Sequence, residues 1–174
     1  GNDPFWIPNF PKDAKVIEDL AKQHGCGAIL IDSLSGGHAL DENGSEMRKV
    51  LQSYLGIVSR LKCVMILVHH INKKREFDSV KLTLDRVRGS STITQFCRSV
   101  TALYRMDEDI KSPTRVEVIK TNFGKAPEPF GFTIDDEGLL DFAKAPEAPR
   151  AETAVDRAVE FLRAALRPGP MVWS

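Results

Sequence analysis

The sequence predicts an α/β fold: a parallel βαβ unit followed by a β-hairpin-rich C-terminal part. Three observations lead there. Residues 28–31 (Ala-Ile-Leu-Ile) and 64–68 (Val-Met-Ile-Leu-Val) are continuous apolar runs without polar alternation, the pattern of parallel strands covered on both faces. Between them Met47, Val50, Leu51, Tyr54, Leu55, Val58 and Leu61 recur at helical spacing, so strand, helix and strand form a unit with a right-handed crossover. Beyond residue 98 the pattern changes to strand-length segments separated by turn residues.

Taken in order, an amphipathic helix is expected over residues 11–24, with Ile17, Leu20, Ala21 and His24 on one face and Gly25 and Gly27 at its end. Asp32 closes the first strand, and residues 33–44 are a polar, Gly-rich loop. Ser45 is the expected cap of the second helix, and the second strand ends on His69 and His70. Residues 72–88 form a polar, basic connection longer than compact domains usually need, a type of loop that is commonly functional or mobile. A short helix is expected over residues 89–96, strands over 99–106, 116–121 and 130–135, and a fourth strand over 139–142 after the Asp-Glu-Gly turn. Residues 143–150 hold two prolines and read as a linker, so residues 1–142 form one unit. Residues 151–174 contain a helix with Thr153 as its cap and Asp156 three residues on, the expected start of a C-terminal accessory domain cut short.

With 174 residues, 42% apolar and 28% charged, the composition fits one globular domain and excludes a disordered chain. The apolar runs are too short to span a bilayer, and no basic stretch leads into an apolar one at the N-terminus. A soluble, cytoplasmic chain with no membrane partner is the expectation. The formal charge is zero, yet residues 1–47 set three lysines against eight carboxylates, and residues 73–98 set seven basic residues against three acidic ones. Such a basic segment suits an anionic partner and equally suits a solvated loop. Cys26, Cys63 and Cys97 are odd in number, far apart and set among apolar residues, which reads as buried free thiols in a reducing compartment, with no disulfide or metal site.

Ligands of open parallel sheets sit at the carboxyl ends of the strands. Two polar endings matter here, Asp32-Ser33 and His69-His70. An aspartate at the end of an apolar strand can hold Mg²⁺ through water, the carboxylate supplying charge and the strand direction. Aspartate also ends strands simply as a turn-former. Adjacent strand residues point to opposite faces, so His69 and His70 do not chelate one metal; one is structural and the other reaches the ligand.

These residues resemble a known family. Ala28-Ile-Leu-Ile-Asp32-Ser-Leu is similar to the Walker B strand of RecA-like P-loop ATPases, and Leu67-Val-His-His70-Ile-Asn-Lys73 to the fourth core strand of their hexameric replicative helicase branch. Arg88-Gly-Ser-Ser, leading through a short helix to Arg98, and Val118-Ile-Lys120-Thr-Asn122-Phe-Gly124 resemble two later motifs of the RepA-type plasmid helicases. The four motifs stand in the family's order over residues 16–140. One feature departs from it: no Gly-x-x-x-x-Gly-Lys-[Ser/Thr] occurs, and Gly124-Lys125 lacks both flanking requirements.

The resemblance implies a partial RecA-like core, the C-terminal part of a motor acting in DNA replication or recombination, with ATP and Mg²⁺ as the intact core's cofactors. It implies Asp32 as the Mg²⁺-water ligand, His70 as the sensor of the γ-phosphate or attacking water, and Arg98 as an arginine finger offered to a neighbouring subunit. Ser33, Lys120 and Asn122 would face nucleotide. Lys73, Lys74, Arg75, Lys81, Arg86 and Arg88 would track single-stranded DNA by charge, weakly and without sequence preference. Without the phosphate loop, the chain alone is not expected to hydrolyse ATP. Association is expected as a ring hexamer in the intact family, or as a dimer of this chain through uncovered apolar surface. The alternative reading is a non-catalytic RecA-like module for oligomerisation or single-stranded-DNA binding.

Overall fold

A computed structural model describes residues 7–42, 44–72, 81–89, 91–107, 109–147 and 154–166. Its first half is built on α2 (Met47–Leu61), which buries Met47, Val50, Leu51, Tyr54 and Ile57 on a single stripe. That stripe packs against Ile29 and Ile31 of β1 (Ala28–Asp32) and Met65 and Leu67 of β2 (Val64–Val68). The strands pair in parallel from Ala28↔Val64 to Asp32↔Val68. α2 ends at Lys62, whose φ of 55° is left-handed. Ser45 does not cap this helix: the flanking residue is Glu46, with no side-chain cap bond. The leading N–H groups of Met47, Arg48 and Lys49 already donate to the Gly44, Ser45 and Glu46 carbonyls, which leaves the serine hydroxyl no role there.

The two strands are covered on one face, not two. Leu30, Val64 and Ile66 on the other face are 61%, 57% and 49% exposed, because the described residues lay both α1 (Ala14–Gln23) and α2 against the same core. α1 also turns differently from the apolar pattern: Leu20 and His24 face out, whereas Ala14, Ile17, Glu18 and Ala21 face in. Glu18 can be buried because Arg60 of α2 grips it bidentately at 2.8 and 2.7 Å. That hydrogen bonding holds its carboxyl below the usual glutamate range. Cys63 is buried, but Cys26 lies exposed beyond the left-handed Gly25, and Cys97 is half-buried; all three thiols are free.

The second half begins with α3 (Ser91–Phe96) and continues into an antiparallel sheet ordered β3 (Ser99–Arg105), β4 (Thr114–Thr121), β5 (Phe130–Ile134) and β6 (Leu140–Lys144). β6 runs through Lys144, so the first two residues of the expected linker belong to the sheet. α4 (Ala154–Ala165) buries no residue, with Val155, Phe161 and Leu166 at 70–75% exposure. Its expected cap, Thr153, lies outside the described residues. Among the described residues no helix is long and apolar enough to cross a membrane.

Glu117 on β4 ties the second sheet to the segment that precedes α3. Its carboxylate accepts from Tyr104 Oη at 2.9 Å and Arg115 Nε at 3.0 Å, and meets Lys81 Nζ at 2.9 Å. Burial pushes its pKa up, but the hydrogen bonds from Lys81, Arg115 and Tyr104 outweigh that and hold it below the usual value of 4.5. A depressed carboxylate pKa contributes stability that is present above the unfolded value and is lost as pH falls through the folded one. Replacing Glu117 by Gln is therefore expected to cost roughly 1–3 kcal/mol at pH 7, since it removes the carboxylate that Arg115, Tyr104 and Lys81 share. In urea titrations the gap between wild type and Glu117→Gln narrows as pH is lowered below about 4.5; a gap independent of pH contradicts the assignment.

Candidate functional site

The parallel register fixes one cluster. Because Asp32 pairs with Val68, the two residues after β2, His69 and His70, sit beside Asp32 at the carboxyl end of the sheet. Asp32 and His70 are exposed and Ser33 is half-buried; the Asp32–Ser33 peptide is cis. The two histidines divide their work. His69 Nε2 lies 2.7 Å from the Arg88 carbonyl, which can only accept, so His69 donates there. Arg88 N–H in turn donates to the His70 carbonyl at 3.2 Å, and Ile71 bridges Val87. His69 thus fastens the returning chain, while the His70 side chain stays open to solvent.

The same fastening rearranges the basic segment. Arg86 is 8% exposed and its guanidinium donates to the Asn72 carbonyl at 3.0 Å, so it does not present itself to a phosphate backbone as expected. The β-bridge at Ile71 and Val87 draws its backbone inward. Arg88 lies 3.3 Å from Glu42 and Lys81 is held by Glu117. Lys73, Lys74 and Arg75 lie outside the described residues.

A polar pocket of about 290 Å³ opens beside Arg88, lined by Ser35, His38, Asp41 and Glu42. His38 Nδ1 accepts from Leu40 N–H at 3.2 Å, which leaves the proton on Nε2. Ser35 Oγ, His38 Nε2 and Glu42 Oε1 are buried without a hydrogen bond, while Glu42 Oε2 faces the Arg88 guanidinium at 3.3 Å. The pocket can therefore offer a ring N–H donor and carboxylate acceptors to a small polar group. Reading residues 33–44 as a polar loop missed it; the available signal was His38, Asp41 and Glu42 gathered directly after Asp32.

A second cluster forms where β3 starts and β4 ends. Asn122 N–H donates to the Arg98 carbonyl at 2.9 Å, and both side chains are exposed. Lys120 is engaged elsewhere. Its ammonium donates to the carbonyls of Thr94 at 2.7 Å, Cys97 at 2.8 Å and Gln95 at 3.4 Å, so its three donors satisfy the carboxyl end of α3. In this structure Lys120, expected to face nucleotide, caps the end of α3. Arg98 and His70 come together as lining residues of one groove of about 790 Å³ between the two sheets, a groove that Asp32 and Ser33 do not line.

A nucleoside triphosphate with Mg²⁺ does not fit the described residues by themselves. Asp32 offers one carboxylate, and among the described residues no group of three or more His, Cys, Asp or Glu side chains could hold a metal. The polyphosphate would also need a nest of backbone N–H groups at a helix start, and the sequence has no phosphate-loop motif to build one.

The capping role of Lys120 is testable. Lys120→Met keeps the aliphatic stem and strips the donors from three carbonyls, so unfolding in urea should be easier by roughly 1–3 kcal/mol. Asn122→Ala, at an exposed side chain, should stay within about 0.5 kcal/mol of wild type; equal effects of the two variants would contradict the cap. No protein-family model matches this chain, and no curated protein matches it.

Proposed function

We propose that the chain is part of a RecA-like ATPase of the replicative helicase type, acting on DNA in replication or recombination and turning over nucleotide only when a phosphate-loop segment completes it. The observation that carries this reading is the adjacency of Asp32 and His70 at the carboxyl ends of two parallel strands, within a chain that also bears the Arg88 and Lys120–Asn122 motifs in order. Arg98 supports it further, being exposed and sharing a groove with His70. Lys120 supports it only indirectly, by holding α3 and hence Arg98 in place. Single-stranded DNA contact rests on the basic segment as a whole, with Arg86 excluded by its burial.

Self-association belongs to the same proposal, because an arginine finger acts across a subunit boundary. The uncovered outer face of β1 and β2, with Leu30, Val64 and Ile66, offers apolar surface for it, at roughly 25 cal/mol per Å² removed from water. The second reading, a non-catalytic module, is favoured by the poor fit of the described residues to a bound triphosphate.

Phosphate release discriminates between the two readings. The chain alone should release phosphate from ATP no faster than its Asp32→Ala variant. In an assembly that supplies a phosphate loop, Arg98→Ala should abolish turnover with little loss of nucleotide affinity, since a finger acts on charge that develops in the transition state. Turnover unchanged by Arg98→Ala in that assembly contradicts the motor reading.

A further inference from the structure

We infer that the pocket lined by Ser35, His38, Leu40, Asp41, Glu42 and Arg88 is a binding site for a single nucleobase, held by its hydrogen-bonding edge. Asp32, His70 and Arg98 take no part in this site, which stands apart from the motor reading. Glu42 Oε2 faces Arg88, but three other polar atoms of the lining, Ser35 Oγ, His38 Nε2 and Glu42 Oε1, are buried without a hydrogen bond. Buried polar atoms in folded proteins nearly always have a partner, so three orphans around one cavity mark a place where a ligand supplies it. The walls are held from both sides. The Gly37 carbonyl accepts from Phe10 N–H at 2.8 Å, which ties the loop to the core. Glu42 is 9% exposed and lies against Gly89, where an added Cβ would come within 3.0 Å of Glu42 Cβ and 3.1 Å of its carbonyl oxygen. Gly89 also has a φ of +88°, so the close approach and the backbone both call for glycine.

Charge and protonation select a neutral ligand. Asp41 and Glu42 set two carboxylates against the one guanidinium of Arg88, which disfavours a phosphate or any other anion. Because His38 Nδ1 accepts from Leu40 N–H, Nε2 carries the proton and has no lone pair to give a metal ion. What suits the site is a neutral edge with an acceptor for His38, a donor for Glu42 and a third polar group for Ser35, whose hydroxyl both donates and accepts. Uracil and thymine present carbonyl, N–H and carbonyl along one edge, and guanine a carbonyl, an N–H and an amino group. Cytosine presents an amino group, a ring nitrogen and a carbonyl. Adenine has only an amino group and a ring nitrogen there, so it leaves one of the three atoms unpaired.

The size agrees. The pocket holds about 290 Å³. That is room for about ten water-sized groups at roughly 30 Å³ each, which matches one heterocycle with its exocyclic atoms. A side-chain carboxamide carries the same kinds of polar group but would leave most of that space empty. Leu40 supplies an apolar wall, and Arg88, its side chain 58% exposed, supplies a planar guanidinium on which a ring face can stack. The base belongs either to a free nucleoside or to a single strand with one base turned outward, and the edge chemistry is the same for both.

Nucleoside titrations of the full chain, followed by NMR at the Leu40 amide and the His38 ring, test the site. Uridine and cytidine should shift both signals saturably. Adenosine, and an N-methylated uridine in which a methyl group replaces the ring N–H, should bind at least about ten-fold more weakly, because each leaves a buried group unpaired. His38→Phe keeps a ring but loses the donor, and should weaken uridine at least about ten-fold; Ser35→Ala, the milder change, should weaken it about three-fold. Oligothymidylate separates the sources. Shifts of the same signals at a concentration at least about ten-fold below that of uridine assign the base to a strand, and equal concentrations assign it to a free nucleoside. An absence of shifts with uridine and cytidine, which leaves water as the pocket's content, would overturn the inference. So would adenosine and the methylated uridine binding as tightly as uridine, or uridine affinity unchanged in both variants. None of these readouts depends on phosphate release, so failure of the site and failure of the motor reading are told apart.

Discussion

The contact between the buried stripe of α2 and the inner face of β1 and β2 is what the remainder of the molecule depends on. Met47, Val50, Leu51, Tyr54 and Ile57 meet Ile29, Ile31, Met65 and Leu67, and Phe10 closes the cluster with its ring edge-on to Tyr54 at 4.5 Å. This packing sets the parallel register, and the register places Asp32 beside His69 and His70. It also anchors α3, through Ile93 in the same core and Arg48 over the Phe96 ring, and α3 in turn is held to β4 by Lys120. A chain of contacts therefore runs from the helix stripe to Arg98.

The first half is packed around one core, the second buries Leu82, Ala102 and Tyr104 in a smaller cluster, and the space between the two is open. β1 and β2 pair along their whole length and β3 pairs with β4 along its own, with a bulge between Val100 and Thr101, while the space between β2 and β3 is lined largely by apolar side chains. Leu103 is 58% exposed there and Val64 57%. Exposure of that size on strands of such apolar composition is a cost that folding accepts only when the surface has a use. The same asymmetry marks α4, an amphipathic helix whose apolar residues face solvent.

Much of the architecture was legible because it rests on periodicity. The apolar runs of β1 and β2 and the spacing in α2 specify a βαβ unit without further information, and the strands after residue 98 follow from turn residues between apolar segments. What could not be read depends on contacts distant in sequence. Glu18 is buried because Arg60 reaches it from 42 residues away, and Lys120 caps a helix that ended 24 residues earlier. Arg86 turned inward because a bridge formed between Ile71 and Val87, which the charge pattern of the loop does not encode. The candidate site divides likewise: Asp32 and His70 follow from strand ends, whereas the pocket of Ser35, His38 and Glu42 emerges only when the loop folds back against Arg88.

Everything functional in this account requires that β1 and β2 pair in parallel and in the stated register. Cross-strand nuclear Overhauser contacts test this directly. The account predicts backbone contacts that link Ile29 with Met65 and Ile31 with Leu67, continuing to Asp32 beside Val68. A register shifted by one residue would turn the side chains of one strand over, bringing Ile66 or Leu30 inward, and move Asp32 away from its place beside Val68, and contacts of that pattern, or of an antiparallel pair, would contradict the site.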